Sequence, residues 1–160
     1  MSLGTPDLHI STKSAVSGGA NIEITGRADA VHTGIATLKI KASFDPAADL
    51  YPTGAFSLDV SWSDSPKGLV KSTTIEQMNS WGKHSPTVVL TGRCTFAPKA
   101  GEKKADGCRY WLLIANNQPE SGKGTADIVS ILVFDRAGTR VIYGTGPIVS
   151  GNLDVPASTN

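Results

Sequence analysis

The sequence predicts an all-β fold, an antiparallel β-sandwich or barrel of about eight to ten strands. Apolar and polar residues alternate in many short segments, the helical period is almost absent, and turns rich in glycine and proline separate the segments. A chain of 160 residues is long enough to bury one core. We therefore expect a single domain over residues 1–160, with frayed ends near 1–6 and 156–160.

Two segments show the alternation most clearly, with apolar residues at Leu38, Ile40, Ala42 and Phe44 in the first and at Phe56, Leu58, Val60 and Trp62 in the second. Both are predicted to be strands with one wet face. Residues 108–115 and 126–134 are apolar at both parities for part of their length, which predicts central strands covered on both sides. Shorter strands are expected around Ile22, at 142–143 and at 148–149.

Turn chemistry divides these segments. Ser17-Gly18-Gly19 and Gly144-Thr145-Gly146-Pro147 are predicted turns, and residues 135–139 predict a hairpin joining two strands. Residues 73–78 fit either one helical turn with a threonine cap or a continuing strand, and the alternation favours the strand.

The charge pattern argues against two classes of partner. The formal net charge is +1 and the densest charged segment, residues 99–106, mixes both signs, so we expect no nucleic-acid binding. No apolar run approaches the roughly 20 residues of a membrane helix, so no membrane span is expected. The first residues lack the features of a signal peptide.

Cys94 and Cys108 are the two cysteines. If the strands around them form a hairpin with these two opposed, Leu90 faces Leu112 and Val88 faces Ile114, which aligns apolar residues on one face. A cross-strand disulfide would then be feasible and would stabilise the fold by about 3 kcal/mol. The alternative is two buried thiols that act as small hydrophobic residues.

No catalytic, metal or cofactor site is expected. The histidines (His9, His32 and His84) are scattered without ligand spacing, and Ser85 beside His84 lacks the context of an activated nucleophile. The candidate carboxylates are predicted to lie on solvated faces rather than in apolar pockets: Asp45, Asp49, Asp59, Asp64 and Asp106.

The aromatic residues are the main candidates for ligand binding. Trp62 and Trp111 lie in apolar strands and are predicted to be core residues, whereas Trp81 lies in loop-like sequence. Together with Tyr51, Trp81 could form an exposed platform that stacks on a sugar or a peptide. The alternative is that Trp81 covers a sheet edge.

The second half of the chain carries an ordered set of segments: Val88-Val89-Leu90-Thr91-Gly92, then Gly-Cys-Arg-Tyr-Trp-Leu-Leu, then Gly-Thr-Ala-Asp-Ile-Val-Ser-Ile-Leu-Val-Phe-Asp, and finally Ser150-Gly151-Asn152-Leu153. Over roughly residues 55–155 this order resembles the post-COAP type of β-domain found at the C-terminal ends of bacterial exported proteins. The resemblance implies a secreted, non-enzymatic accessory module and carries no site residue to this chain.

Three hypotheses about function follow. The first is a non-catalytic accessory or binding module of an exported bacterial protein, secreted, periplasmic or at the cell surface, which binds a protein or a glycan. The second is a carbohydrate-binding β-sandwich that uses Trp81 and Tyr51. The third is a small hydrolase with a site built on carboxylates or His84. Either a monomer or a dimer paired through edge strands is compatible with the sequence.

Overall fold

The structure is a computed structural model that describes residues 13–24, 34–62, 67–82, 86–99, 103–116 and 127–156. These residues form eight β-strands: β1 (Ser14–Ile24), β2 (Gly34–Phe44), β3 (Thr53–Trp62), β4 (Gly68–Trp81), β5 (Thr87–Pro98), β6 (Ala105–Ala115), β7 (Ile128–Phe134) and β8 (Arg140–Asp154). The all-β prediction is confirmed. The part of the chain that is described contains no helix with the length and apolar character needed to cross a membrane.

The eight strands close into one antiparallel barrel. Each strand pairs with its neighbours in the chain, and β8 returns to pair with β1 between Ser17↔Asp154 and Ile22↔Ile148. Of the two predicted architectures, the molecule is therefore a barrel. Because every described strand has a partner on both sides, the edge strands through which a sandwich could dimerise are absent from this part of the chain.

Side chains from alternate positions fill the barrel. An eight-stranded barrel has an interior just wide enough for side chains to pack it. The largest of the fully buried residues come from six different strands: Ile22, Leu38, Leu58, Leu90, Leu112, Ile114, Ile142 and Leu153. The predicted parities of β2 and β3 are confirmed, since Leu38, Ile40, Phe56, Leu58 and Val60 all point into this core.

The two glycine-rich segments predicted as turns lie inside strands. Gly18 belongs to β1 and Gly146 to β8. A Cβ atom added at Gly18 would lie 2.1 Å from the carbonyl oxygen of Asn152, and one at Gly146 would lie 2.0 Å from that of Glu23. The glycines therefore mark the close approach of β1 and β8 rather than a reversal of the chain. Because residues 144–147 continue the strand instead of forming a turn, the two predicted short strands at 142–143 and 148–149 are parts of β8.

The ambiguous segment at 73–78 is part of a strand, as the alternation favours. β4 runs from Gly68 to Trp81, but its register to β5 shifts between Ser72 and Thr74 and again between Ile75 and Gln77. These irregularities bend the strand and leave residues out of the regular ladder. β4 also pairs with β3 over only four residues, Gly68–Lys71.

Two local predictions are confirmed. Residues 135–139 form the β7–β8 hairpin turn, in which the amide of Asp135 donates to the carbonyl of Thr139 over 2.9 Å. In β5 and β6, Cys94 lies opposite Cys108, Leu90 opposite Leu112 and Val88 opposite Ile114. The register inferred from the cysteines is thus the register of the fold.

Three predictions about the aromatic strands need correction. β6 and β7 are not covered on both sides: their inward side chains fill the barrel, and their outward side chains lie on its outer wall. Trp111 points outward and is 37% exposed, so it is not a core residue. Trp81 is the last residue of β4 rather than a loop residue. Apolar residues at both parities cannot distinguish a strand between two layers from a barrel strand with an apolar outer face. The side chain of Trp62 lies outside the described residues.

Candidate functional site

Apolar side chains project outward from three neighbouring strands. Trp111 and Leu113 on β6, Leu132 and Phe134 on β7 and Tyr143 on β8 form what we call the aromatic face. The register places Trp111 opposite Leu132 and Leu132 opposite Tyr143, so these three side chains form one row across the wall. Phe134, like Trp111, is 37% exposed. The face is therefore largely apolar and partly exposed, and Ser130 opposite Leu113 is a polar position within it.

An arginine rim borders one end of the aromatic face. Arg93 on β5 lies opposite Arg109 on β6, and Glu76 joins them: Nε of Arg93 lies 3.2 Å from Oε1, and Nη1 of Arg109 lies 3.0 Å from Oε2. The hydrogen bond from Arg109 holds the pKa of Glu76 below its ordinary value. The carboxylate therefore stays ionised, which suits an ion pair and not a general acid.

A third arginine completes the rim. Arg140 lies opposite Phe134, and its guanidinium carbon stands 4.6 Å from the centre of the Tyr143 ring. This is a cation–π contact, which combines a charged group with an aromatic surface. With Arg93 and Arg109, it gives the rim three guanidinium groups against the one carboxylate of Glu76. The rim therefore presents net positive charge.

A cleft of about 420 Å³ lies where β3 and β4 separate, between Tyr51 and Pro52 on one side and residues 73–76 on the other. Beyond Lys71 the backbone ladder stops, and the hydroxyl of Ser72 takes its place by accepting from the amide of Phe56 over 2.8 Å. Tyr51 stands at the mouth of the cleft and is 71% exposed.

Tyr51 and Trp81 lie at different features of the barrel wall. Trp81 is 46% exposed and pairs with Thr87 at the end of β4, whereas Tyr51 borders the cleft beside Glu76. Between Glu76 and Trp81 the strand advances roughly 16 Å, at about 3.3 Å per residue. Trp81 does not line the cleft that Tyr51 borders, and a stacking platform formed by the two rings stays a prediction.

The nucleophilic groups of the interior are protonated and enclosed. Cys94 and Cys108 are both buried free thiols that do not lie at disulfide distance, so the structure does not support the predicted disulfide. Burial, together with the neighbouring Cys108, raises the pKa of Cys94 to about 12, and burial also raises the pKa of Cys108. The Tyr110 hydroxyl donates to the carbonyl of Thr74 over 2.8 Å, and burial raises its pKa as well. A protonated thiol is a poor nucleophile and a poor metal ligand.

The predicted carboxylates hold structural contacts. Asp45 and Asp49 belong to the β2–β3 connection, where Asp49 accepts from the amide of Asp45 over 3.0 Å. Asp59 pairs with Lys99 at 2.8 Å. Asp106 is an exposed residue of β6. Within the described residues, no group of three His, Cys, Asp or Glu side chains could hold a metal ion. His9, His32, His84 and Asp64 lie outside the described residues.

Comparison with known proteins does not assign this barrel to a family. No family model matches the chain, and neither curated proteins nor solved structures include a significant match.

Sequence reasoning missed the aromatic face and the arginine rim. The available signal was the apolar residues at the outward positions of 108–115 and 128–134, where only Arg109 and Ser130 are polar; such a pattern indicates either a buried strand or an apolar surface. Nothing local to Glu76, Arg93 and Arg109 signals that they meet, because their sequence separations are 17 and 33 residues. Only the pairing of β4, β5 and β6 joins them.

Proposed function

We propose that this chain is a non-catalytic binding module of an exported bacterial protein, and that it binds a protein partner through the aromatic face and the arginine rim. The observation that carries the proposal is the position of the apolar side chains. The barrel interior is already filled, and Trp111, Leu132 and Phe134 nevertheless project from its outer wall. Contiguous apolar patches of this kind mark interaction sites.

The composition of the surface favours a protein over a glycan. Tryptophan, tyrosine, phenylalanine and arginine are enriched in protein interfaces and dominate their binding energy. A sugar ring stacks on a free aromatic face, but the ring of Tyr143 is covered by Arg140, and Leu132 separates it from Trp111. Because the rim is positively charged, we expect the partner to carry carboxylates beside its apolar side chains.

The resemblance to the post-COAP type of β-domain supports the exported and accessory parts of the proposal. The absence of a catalytic role is supported by the protonation state of the two thiols and by the ion pairs of Glu76. Each of these groups is held in a form that does not transfer protons or attack a substrate near neutral pH.

A peptide library of random sequence displayed on phage tests the proposal with a defined probe. We expect the selected peptides to combine Asp or Glu with apolar residues. Trp111→Ala and Arg109→Ala should each weaken the binding of a selected peptide by about tenfold or more, as measured by fluorescence anisotropy. Trp81→Ala is the matched control, because Trp81 is similarly exposed but lies away from the aromatic face.

Two results would overturn the proposal. Selection could yield no peptide above background, or the selected peptides could bind Trp111→Ala as tightly as the unaltered chain. A glycan array run in parallel distinguishes the carbohydrate hypothesis. Glycan binding that is lost in Trp81→Ala or Tyr51→Ala, and retained in Trp111→Ala, would replace the protein partner by a sugar.

A further inference from the structure

A group of lysines lies on the wall opposite the aromatic face. In the register of β2, β3 and β4, Lys39 lies opposite Ser57, and Ser57 lies opposite Lys71. Lys41, two residues along β2, lies opposite Ala55. All three lysines are exposed, and the short side chains of Ala55 and Ser57 form a floor between them. We call this shallow, largely open depression of about 640 Å³ the lysine groove.

The three groove lysines form no ion pair within the described residues, although Asp154 lines an adjoining depression together with Lys41. Lys13 and Lys99 each face a carboxylate, at 3.9 Å from Asp45 and 2.8 Å from Asp59. No such ion pair forms at Lys39, Lys41 or Lys71 among the residues that the structure describes. The carboxylate of Asp59 is the nearest one to these lysines on β3, and it already forms an ion pair with Lys99. Three like charges held on a rigid sheet repel one another, and a bound anion would relieve that repulsion.

The width of the groove limits what can enter it. Lys39 and Lys71 stand on strands separated by β3, which is roughly 10 Å at about 4.8 Å per strand spacing. A single extended chain fits between them. The long lysine side chains form the walls, and the small residues beneath leave room for a chain to lie along β3.

We propose that the lysine groove binds a linear acidic polysaccharide, a chain of sugars that carries carboxylate or sulfate groups on both sides. The ammonium groups of Lys39, Lys41 and Lys71 would pair with those anions, and the hydroxyl of Ser57 would meet the sugar hydroxyls. A single-stranded nucleic acid is disfavoured, because its binding depends on aromatic side chains that stack on bases. Phe56 is the aromatic residue among the described lining residues, and it is 3% exposed.

Charge-matched variants test the site. Lys39→Gln/Lys41→Gln/Lys71→Gln removes three positive charges from the groove. The control carries Lys67→Gln/Lys103→Gln/Lys104→Gln, at exposed lysines elsewhere on the surface. We expect the groove variant to bind chondroitin sulfate about tenfold or more weakly than the unaltered chain, and the control to stay within about twofold. Uncharged dextran should bind none of these proteins, and added salt should weaken the binding of chondroitin sulfate.

Gly19 provides a second and independent variant. It lies opposite Lys39, and a Cβ atom added there would lie 3.6 Å from the nearest atom, which is ordinary contact. Gly19→Asp introduces a carboxylate beside the lysines, and Gly19→Asn introduces a neutral group of the same size. We expect the Asp variant to bind chondroitin sulfate several-fold more weakly than the Asn variant.

Three outcomes would overturn the proposal. The groove variant and the charge-matched control could lose affinity equally, which would indicate a general charge effect. Gly19→Asp could bind as tightly as Gly19→Asn. A ten-nucleotide single-stranded thymidine oligomer could bind as tightly as the polysaccharide and depend on the same lysines. Because Trp111→Ala leaves the groove intact, this test is independent of the proposed protein partner.

Discussion

Replacing Tyr110 by phenylalanine removes one oxygen atom from the barrel interior and is expected to destabilise the fold measurably. The Tyr110 hydroxyl donates to the carbonyl of Thr74 over 2.8 Å, where β4 departs from its register to β5. Gly92 leaves the space for this contact, since a Cβ atom there would lie 2.2 Å from the Thr74 oxygen. The hydroxyl therefore satisfies a backbone group that the irregular part of β4 turns inward.

The expected loss of stability follows from the contacts that Tyr110→Phe removes and those that it keeps. Tyr110 is 3% exposed, and its ring lies edge-on to Phe56 with centroids 4.7 Å apart, a contact that phenylalanine retains. The loss is therefore the hydrogen bond and the burial of an unpaired carbonyl, which costs about 1–3 kcal/mol. For a chain of this size the melting temperature should fall by about 2–4 °C for each kcal/mol.

Urea denaturation followed by tryptophan fluorescence measures the change in the free energy of unfolding. The midpoint should fall while the slope with urea stays constant, because the surface exposed on unfolding is unchanged. Tyr51→Phe is the control: Tyr51 is 71% exposed, so we expect a change within about 0.5 kcal/mol. If Tyr110→Phe proved as stable as this control, the Thr74 carbonyl would have another partner and the reasoning would be wrong.

Three further predictions concern the core. Without denaturant, Cys94 and Cys108 should resist a thiol reagent such as DTNB, because both are buried. In urea both thiols should react. If the predicted disulfide has formed, neither should react until it is reduced. Burial raises the pKa of Cys94 from 9.0 to about 12, so between these pH values the native state keeps a proton that the unfolded state loses. The free energy of unfolding should therefore fall by about 1.4 kcal/mol per pH unit between pH 9 and 12 for this group alone. Denaturation at several pH values, repeated with Cys94→Ala, checks this. Leu112→Ala should cost about 2–5 kcal/mol in urea denaturation, while Leu50→Ala, at a position 90% exposed, should change stability little.

Several features of the fold could be predicted because they depend on neighbouring residues. Alternation along β2 and β3 assigned Leu38 and Leu58 to the core, since successive side chains of a strand point to opposite faces. The register of β5 and β6 could be inferred because a slip of one residue would turn Leu90 and Leu112 outward. The β7–β8 hairpin was predictable because its turn is a local event.

The candidate site was not predictable in the same way. Trp81 was chosen for its loop-like sequence and Tyr51 as its possible partner. Both are exposed, but the distance between them depends on where β3 separates from β4. The aromatic face was hidden in β6 and β7, whose outward residues look like those of a strand buried on both sides. Which surface covers a strand is a property of the whole assembly, and no window of sequence contains it.

What the sequence determined by itself was the identity of the strands and the face that each turns to the core, because both depend on the two-residue repeat of an extended chain. What only the tertiary structure decided was closure. Gly18 and Gly146 look like turn residues until β1 and β8 meet, and there they are the positions at which the two strands can approach. The same closure leaves Trp111 outside and brings Glu76 between Arg93 and Arg109, because contacts between distant residues arise only when all eight strands are in place.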